Sequence, residues 1–170
     1  RQKSFIQELH DYPNLVVLQT FSKAWGLAGL RLGMAFASDE IIEILNRVKP
    51  PYNVNQVTQE LALKALEEVG QVNDMIKELV QMRVALKGVF EKIPFVQKVY
   101  PSDANFLLVK VDAAKEVYHF LLSRGIVVRD RSNVQLCDNC LRITVGTEEE
   151  NTALVQAMAD WYVANKKLKA

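Results

Sequence analysis

Two pairs of residues in this chain have types and spacings that could do chemistry. Lys23 and Arg31 are the only charged residues in the run TFSKAWGLAGLRLG, residues 20–33. A lysine among small and apolar residues is costly unless it has a partner or a reaction to perform. Desolvation lowers the pKa of its amine and makes it a nucleophile toward a carbonyl. The alternative is a lysine on a solvent-exposed loop between two strands. The second pair, Arg129 and Arg142, brackets one polar loop. An arginine in a strand is ordinarily a satisfied edge or surface residue. Two arginines bracketing a loop could instead converge on an anion, because the guanidinium fork matches carboxylate and phosphate.

The elements that must position these residues follow from periodicity. Residues 1–10 read as the tail of a helix, which Arg1 enters partway, so the N-terminus reads as internal to a longer chain. Residues 15–18 run continuously apolar, the pattern of a buried parallel strand covered on both faces. A second strand is expected over residues 32–37. Ser38 is a candidate N-cap for a short helix stopped by Pro50-Pro51. A turn-rich loop around Tyr52 leads into a further helix, which Gly70 interrupts or bends. Val72, Ile76, Leu79, Arg83, Leu86 and Phe90 then recur at helical spacing, and Pro94 ends that long segment. Strands are expected over 95–100, 106–111, 126–128 and 141–145, and a helix over 113–123 that ends at Gly125. Arg129 thus follows one strand and Arg142 lies inside another. Thr147 and Glu150 have the spacing of a capping box for a final helix, and residues 166–170 read as a frayed, solvated end.

Composition narrows the function classes. The 170 residues are 49% hydrophobic with a formal charge of +1. A packed core is therefore expected, and no basic excess suggests nucleic acid. No run approaches the roughly 20 apolar residues of a membrane span. Cys137 and Cys140 form one isolated CxxC in a polar loop. With His10 and His119 as the only histidines, a zinc site lacks ligands. Two reduced cysteines of an intracellular enzyme is the expectation, with no metal.

The run from Thr20 to Gly33 resembles the lysine region of fold-type I pyridoxal phosphate enzymes, and most closely that of the histidinol-phosphate aminotransferases. There a strand leads into Thr or Ser, a hydrophobic residue, Ser-Lys, a small-residue loop with an aromatic, and Gly-Leu-Arg-x-Gly. Here these are Thr20, Phe21, Ser22, Lys23, then Trp25, then Gly29, Leu30, Arg31 and Gly33. The resemblance implies a pyridoxal 5'-phosphate cofactor, with Lys23 as its Schiff-base lysine and its proton carrier. It implies that Thr20, Ser22 and Arg31 cup the cofactor phosphate; without it, ordinary turn bonding would explain the hydroxyls. The runs GIVVR and LRITVGT also match, so Arg129 and Arg142 are implied to bind the substrate's distal anion. Arg131 is read as solvent-facing, and Asn105 as a structural residue near a domain hinge. Tyr52 and Asn53 match a motif near the dimer interface and are implied to serve the partner subunit's site.

The fold class implied is α/β: the end of the large parallel-sheet domain of a fold-type I transferase plus its small C-terminal α/β domain. Residues 1–70 are assigned to the large domain, 71–90 to a linking helix and 91–170 to the small domain. The implied reaction is transamination between histidinol phosphate and 2-oxoglutarate, giving imidazole-acetol phosphate and glutamate, in a cytoplasmic homodimer. The resemblance covers the second half of such an enzyme, so this chain alone is expected to be inactive. Alternatives are an aromatic or other aminotransferase, an amino-acid phosphate decarboxylase of the same fold, and a non-catalytic α/β fragment.

Overall fold

The computed structural model describes residues 3–168. The helical entry expected at Arg1 and the last tail residues, 169–170, lie outside them. The chain divides into two compact units, residues 1–74 and 75–170.

In the first unit, a short 3-10 helix, Phe5–Glu8, starts at Ser4, whose hydroxyl accepts from Ile6 N. Strand β1, Val17–Thr20, pairs antiparallel with β2, Gly33–Phe36, with Thr20 opposite Gly33. This corrects the buried parallel strand expected at 15–18. The pairing is local, between a strand and the next one along the chain, and no described element covers both faces. Leu18 is accordingly 75% exposed. Gly33 allows a close approach: a Cβ there would lie 3.2 Å from Gln19 O across the pair, a tight contact with backbone. Helix α1 spans Asp39–Val48. Ser38 precedes it in extended geometry, but its hydroxyl donates to Pro13 O at 3.0 Å instead of capping the helix. Helix α2, Gln56–Glu67, is capped by Asn55, whose Oδ1 accepts from Thr58 N at 2.9 Å. Thr58 and Ala62, one turn apart, form its buried face. Helix α3, Val69–Phe90, begins in this unit and continues into the next. Gly70 sits inside it. The break falls at Glu68, which closes α2 with its N–H on Ala65 O.

The second unit holds a four-stranded antiparallel sheet in the order β3-β4-β6-β5. The strands are β3, Val96–Val99; β4, Phe106–Val111; β5, Arg129–Asp130; and β6, Cys140–Thr144. Helix α4, Ala114–Ser123, and helix α5, Glu148–Leu168, are the remaining elements. Burial alternates strictly along β4, with Leu107, Val109 and Val111 on the core side. Those residues, Leu141 and Ile143 of β6, Phe90 of α3, Leu121 of α4 and Met158 of α5 belong to one apolar cluster. Each such side chain contributes roughly 1.5–3 kcal/mol by leaving water. Phe95 lies against Trp161, with ring centroids 4.5 Å apart, and closes one side of the cluster.

Two local closures set the positions of β5 and β6. Helix α4 ends in a Schellman motif: Gly125, at φ 76°, donates to Leu122 O, and Ile126 N donates to Leu121 O. That motif uses the Ile126 N–H, so the strand expected at 126–128 starts only at Arg129. Helix α5 opens on the capping box read from the sequence. Thr147 N donates to Glu150 Oε2 at 2.8 Å, and Glu150 N donates to Thr147 Oγ1 at 3.2 Å. The end expected to fray from Lys166 is helical through Leu168.

Candidate active site

The lysine loop, residues 21–32, is folded around one aromatic anchor. Phe21 is 6% exposed, and its ring centroid lies 5.2 Å from that of Trp25. Its N–H reaches Leu32 O at 3.3 Å, and its carbonyl accepts from Leu27 N at 3.0 Å. With Phe21 held inward, the chain turns at residues 23–26, where Gly26 N donates to Lys23 O and Gly26 takes φ 68°. Lys23 therefore stands exposed on a loop between two strands. The expected desolvation by its own small apolar neighbours does not occur: Phe21 and Trp25 pack on each other rather than around the amine.

Thr20 and Ser22 are brought together. Thr20 Oγ1 lies 2.9 Å from Ser22 Oγ and 3.2 Å from Leu32 O, and it accepts from Ser22 N at 3.1 Å. Arg31 follows a short 3-10 turn, Ala28–Leu30, and adopts left-handed geometry at φ 52°. For a residue with a Cβ that conformation costs of order 1–3 kcal/mol, and such outliers gather where function requires them. Its Nη1 donates to Ala28 O at 2.9 Å. No described carboxylate forms an ion pair with Lys23 or Arg31.

The second unit carries Arg129 and Arg142. They are register partners across β5 and β6, so both side chains leave the same sheet face. Arg129 is exposed and Arg142 half-buried. The guanidinium of Arg142 sits 5.0 Å from the centroid of the Phe106 ring, and its Nε is buried with no hydrogen-bond partner. Phe106 was not singled out by sequence reasoning. No sequence signal marked it, because the adjacency of β4 to the strand of Arg142 comes from the sheet order.

The loop that joins β5 to β6 is closed at its base by Arg131 N donating to Cys140 O at 2.8 Å. Arg131 is half-buried there rather than solvent-facing. Asp130 is fixed by Ser132, whose N–H donates to Asp130 Oδ1 at 2.8 Å and whose hydroxyl also donates to it. Burial pushes the Asp130 carboxyl up, but the two Ser132 bonds and the charges of Lys115 and His119 outweigh it and hold it below its ordinary value. Cys137 and Cys140 are both free thiols. Burial, with Cys137 beside it, pushes the Cys140 thiol up. Among the described residues no group of acidic, histidine or cysteine side chains could hold a metal, and no helix is long and apolar enough to cross a membrane.

Tyr52 and Asn53 lie on the exposed turn between α1 and α2. Tyr52 is 97% exposed at φ 58°. Asn105 is exposed, and its carbonyl accepts from Val145 N at 2.9 Å, tying the start of β4 to the end of β6. Arg83, read from the sequence only as part of a helical stripe, donates from Nη1 to Ala104 O at 2.7 Å and braces the same turn.

The chain belongs to the class I and II aminotransferase family, whose model matches residues 1–158. Within that family it is 56% identical over 155 residues to the histidinol-phosphate aminotransferase of Parabacteroides distasonis, covering 91% of this chain and 45% of that protein. The chain thus spans less than half the length of the curated relatives it matches. Among solved structures, a decarboxylase from Sulfurospirillum multivorans is 30% identical with a TM-score of 0.80, covering 92% of this chain and 46% of that one. The histidinol-phosphate aminotransferase of Sinorhizobium meliloti, solved with pyridoxal-5'-phosphate, shares the fold at a TM-score of 0.79 and 24% identity, covering 91% and 43%.

Proposed function

We propose that this chain carries the lysine loop and the distal anion face of a pyridoxal phosphate-dependent aminotransferase. The reaction is transamination between histidinol phosphate and 2-oxoglutarate, run by a complete homodimeric enzyme in the cytoplasm. In this reading residues 1–70 end the large domain, 71–90 link, and 91–170 form the small domain. Tyr52, held exposed in left-handed geometry, and Asn53 serve the partner subunit.

The donor set fits the cofactor. Thr20 and Ser22 offer two hydroxyls 2.9 Å apart, and Arg31 offers guanidinium donors beyond the one given to Ala28. These would hold a phosphate dianion. Lys23 offers an amine that no described carboxylate neutralises. When bound, pyridoxal phosphate supplies the aldehyde that receives the amino group and the ring that draws electrons from the α-carbon. Lys23 Nζ would hold the cofactor and would carry the proton of the substrate's α-carbon. Arg142 and Arg129 orient the substrate through its distal carboxylate or phosphate.

The observation that carries the reading is the buried, unpartnered Nε of Arg142 beside an opposed second arginine. A buried charged donor left open is costly unless an anion completes it. The test is a substrate panel on the holoenzyme. Histidinol phosphate should be the preferred amino donor with 2-oxoglutarate as acceptor; preference for an amino acid without a phosphate would sink the assignment. A second reading, decarboxylation, is supported by the 30% identity to a decarboxylase. Carbon dioxide release in the same panel separates the two.

A further inference from the structure

The sheet face that carries the two arginines also carries two lysines. Leu107, Val109 and Val111 turn into the core, so Phe106, Leu108 and Lys110 stand on the other face of β4. Leu108 lies opposite Arg142. Lys110 lies opposite Cys140 on one side and Lys98 on the other. Lys98, Lys110, Arg142 and Arg129 therefore share one face. It contains two directly opposed like-charge pairs, Lys98 with Lys110 and Arg129 with Arg142, each of which destabilises a sheet. No described carboxylate is within ion-pair distance of these four cations.

The two lysines differ. Lys98 is exposed, and its Nζ rests 4.7 Å from the Tyr100 ring centroid, where the ring face compensates its charge. Lys110 is half-buried. Its ammonium lies near enough to Cys140 to favour that thiolate, although burial wins there. Cys140 precedes Arg142 by two residues on the same strand. Lys110 and Phe106 are the two diagonal neighbours of Arg142 on β4, each at a separation of about 7–8 Å; the guanidinium lies over the Phe106 ring, so Lys110 would meet a bound anion from the other side of Arg142.

We propose that Lys110 is the third cation of the anion face and sets its preference for a phosphate monoester over a carboxylate. The proposal rests on the reading that Arg142 and Arg129 grip the substrate's distal anion. A carboxylate brings one charge and two oxygens, which one guanidinium fork satisfies. A phosphate monoester brings close to two charges and three oxygens at neutral pH. A further cation answers the second charge. The flexible ammonium of lysine serves this role because it returns to water when the smaller anion is bound.

The test compares Lys110→Ala, Lys110→Arg, Lys98→Ala and Arg142→Ala in the holoenzyme. Single-turnover kinetics are run with histidinol phosphate and with glutamate, alongside inhibition by inorganic phosphate. Lys110→Ala should weaken histidinol phosphate binding about tenfold, as expected for a hydrogen bond to a charged group. It should weaken inorganic phosphate inhibition in parallel and leave glutamate within about twofold. Lys110→Arg should recover most of the loss, and Lys98→Ala should change little. Equal losses for both substrates, equal losses for Lys98→Ala and Lys110→Ala, or no loss in Lys110→Ala would each overturn the assignment. Arg142→Ala reports separately on the underlying reading. If that variant leaves both substrates unaffected, the anion face itself is refuted and the role of Lys110 falls with it. If it is impaired while Lys110→Ala is not, only the assignment of Lys110 fails.

Discussion

Arg129 and Arg142 stand directly opposite one another across the β5–β6 ladder, and Arg142 keeps a buried Nε with no partner. Sheet pairing brings the two charges together, and the Schellman closure of α4 decides that pairing begins at Arg129. The Phe106 ring holds the Arg142 guanidinium from one side. Both side chains leave the same sheet face.

From this arrangement, Arg142→Ala should damage both half-reactions, since the residue is half-buried, ring-braced and central in the sheet. The loss should be about 2–5 kcal/mol in transition-state stabilisation, the range for truncating a buried charged partner. Arg129→Ala, at the exposed edge, should harm histidinol phosphate more than glutamate. Single-turnover rates with each substrate measure both effects. Small and equal losses would make these arginines surface residues.

Lys23→Ala should abolish turnover while some cofactor binding survives through Thr20, Ser22 and Arg31. Borohydride reduction of the wild-type holoenzyme followed by peptide mapping should find the cofactor on Lys23. Its attachment to another lysine would refute the assignment.

Strong local signals in the sequence matched the structure. The Thr147–Glu150 capping box, strand β4 and helix α4 all formed where periodicity and spacing put them. The failures share a cause: an apolar run specifies neither its strand partner nor what covers it. Residues 15–18 read as a covered parallel strand, yet β1 pairs with its own successor and leaves Leu18 exposed. The run at 126–128 has strand composition, but the Ile126 N–H is taken by the end of α4. Opposition of Arg129 to Arg142 needs the strand register, which spacing along one chain does not contain. The lysine loop was legible as a motif, whereas the exposure of Lys23 depended on Phe21 turning inward.

Asp130 gives a pH signature. Its carboxyl is held below its ordinary value when folded, so it contributes stability above the unfolded value near pH 4 and loses it as pH falls through the folded value. Asp130→Asn should therefore lower the urea midpoint at pH 7, and the gap to wild type should close in acid, below about pH 4. A gap that persists unchanged at pH 3 would show that the Ser132 bonds do not depend on the charge.

The capping box should carry measurable stability. Thr147→Ala removes the acceptor for Glu150 N and should cost about 0.5–2 kcal/mol in denaturant unfolding. Gly146→Ala should also destabilise, because the added methyl would sit 2.9 Å from Glu150 Cβ. Wild-type stability in both variants would remove the box as the element that starts α5.

The central claim is that amino nitrogen passes between glutamate and a phosphate ester held by Arg142 and Arg129. The direct measurement incubates the holoenzyme with ¹⁵N-glutamate and imidazole-acetol phosphate and follows the products by mass spectrometry. The account predicts ¹⁵N in histidinol phosphate, one 2-oxoglutarate formed for each nitrogen transferred, and loss of that transfer in Arg142→Ala. Unlabelled histidinol phosphate, carbon dioxide in place of 2-oxoglutarate, or full transfer in Arg142→Ala would contradict it.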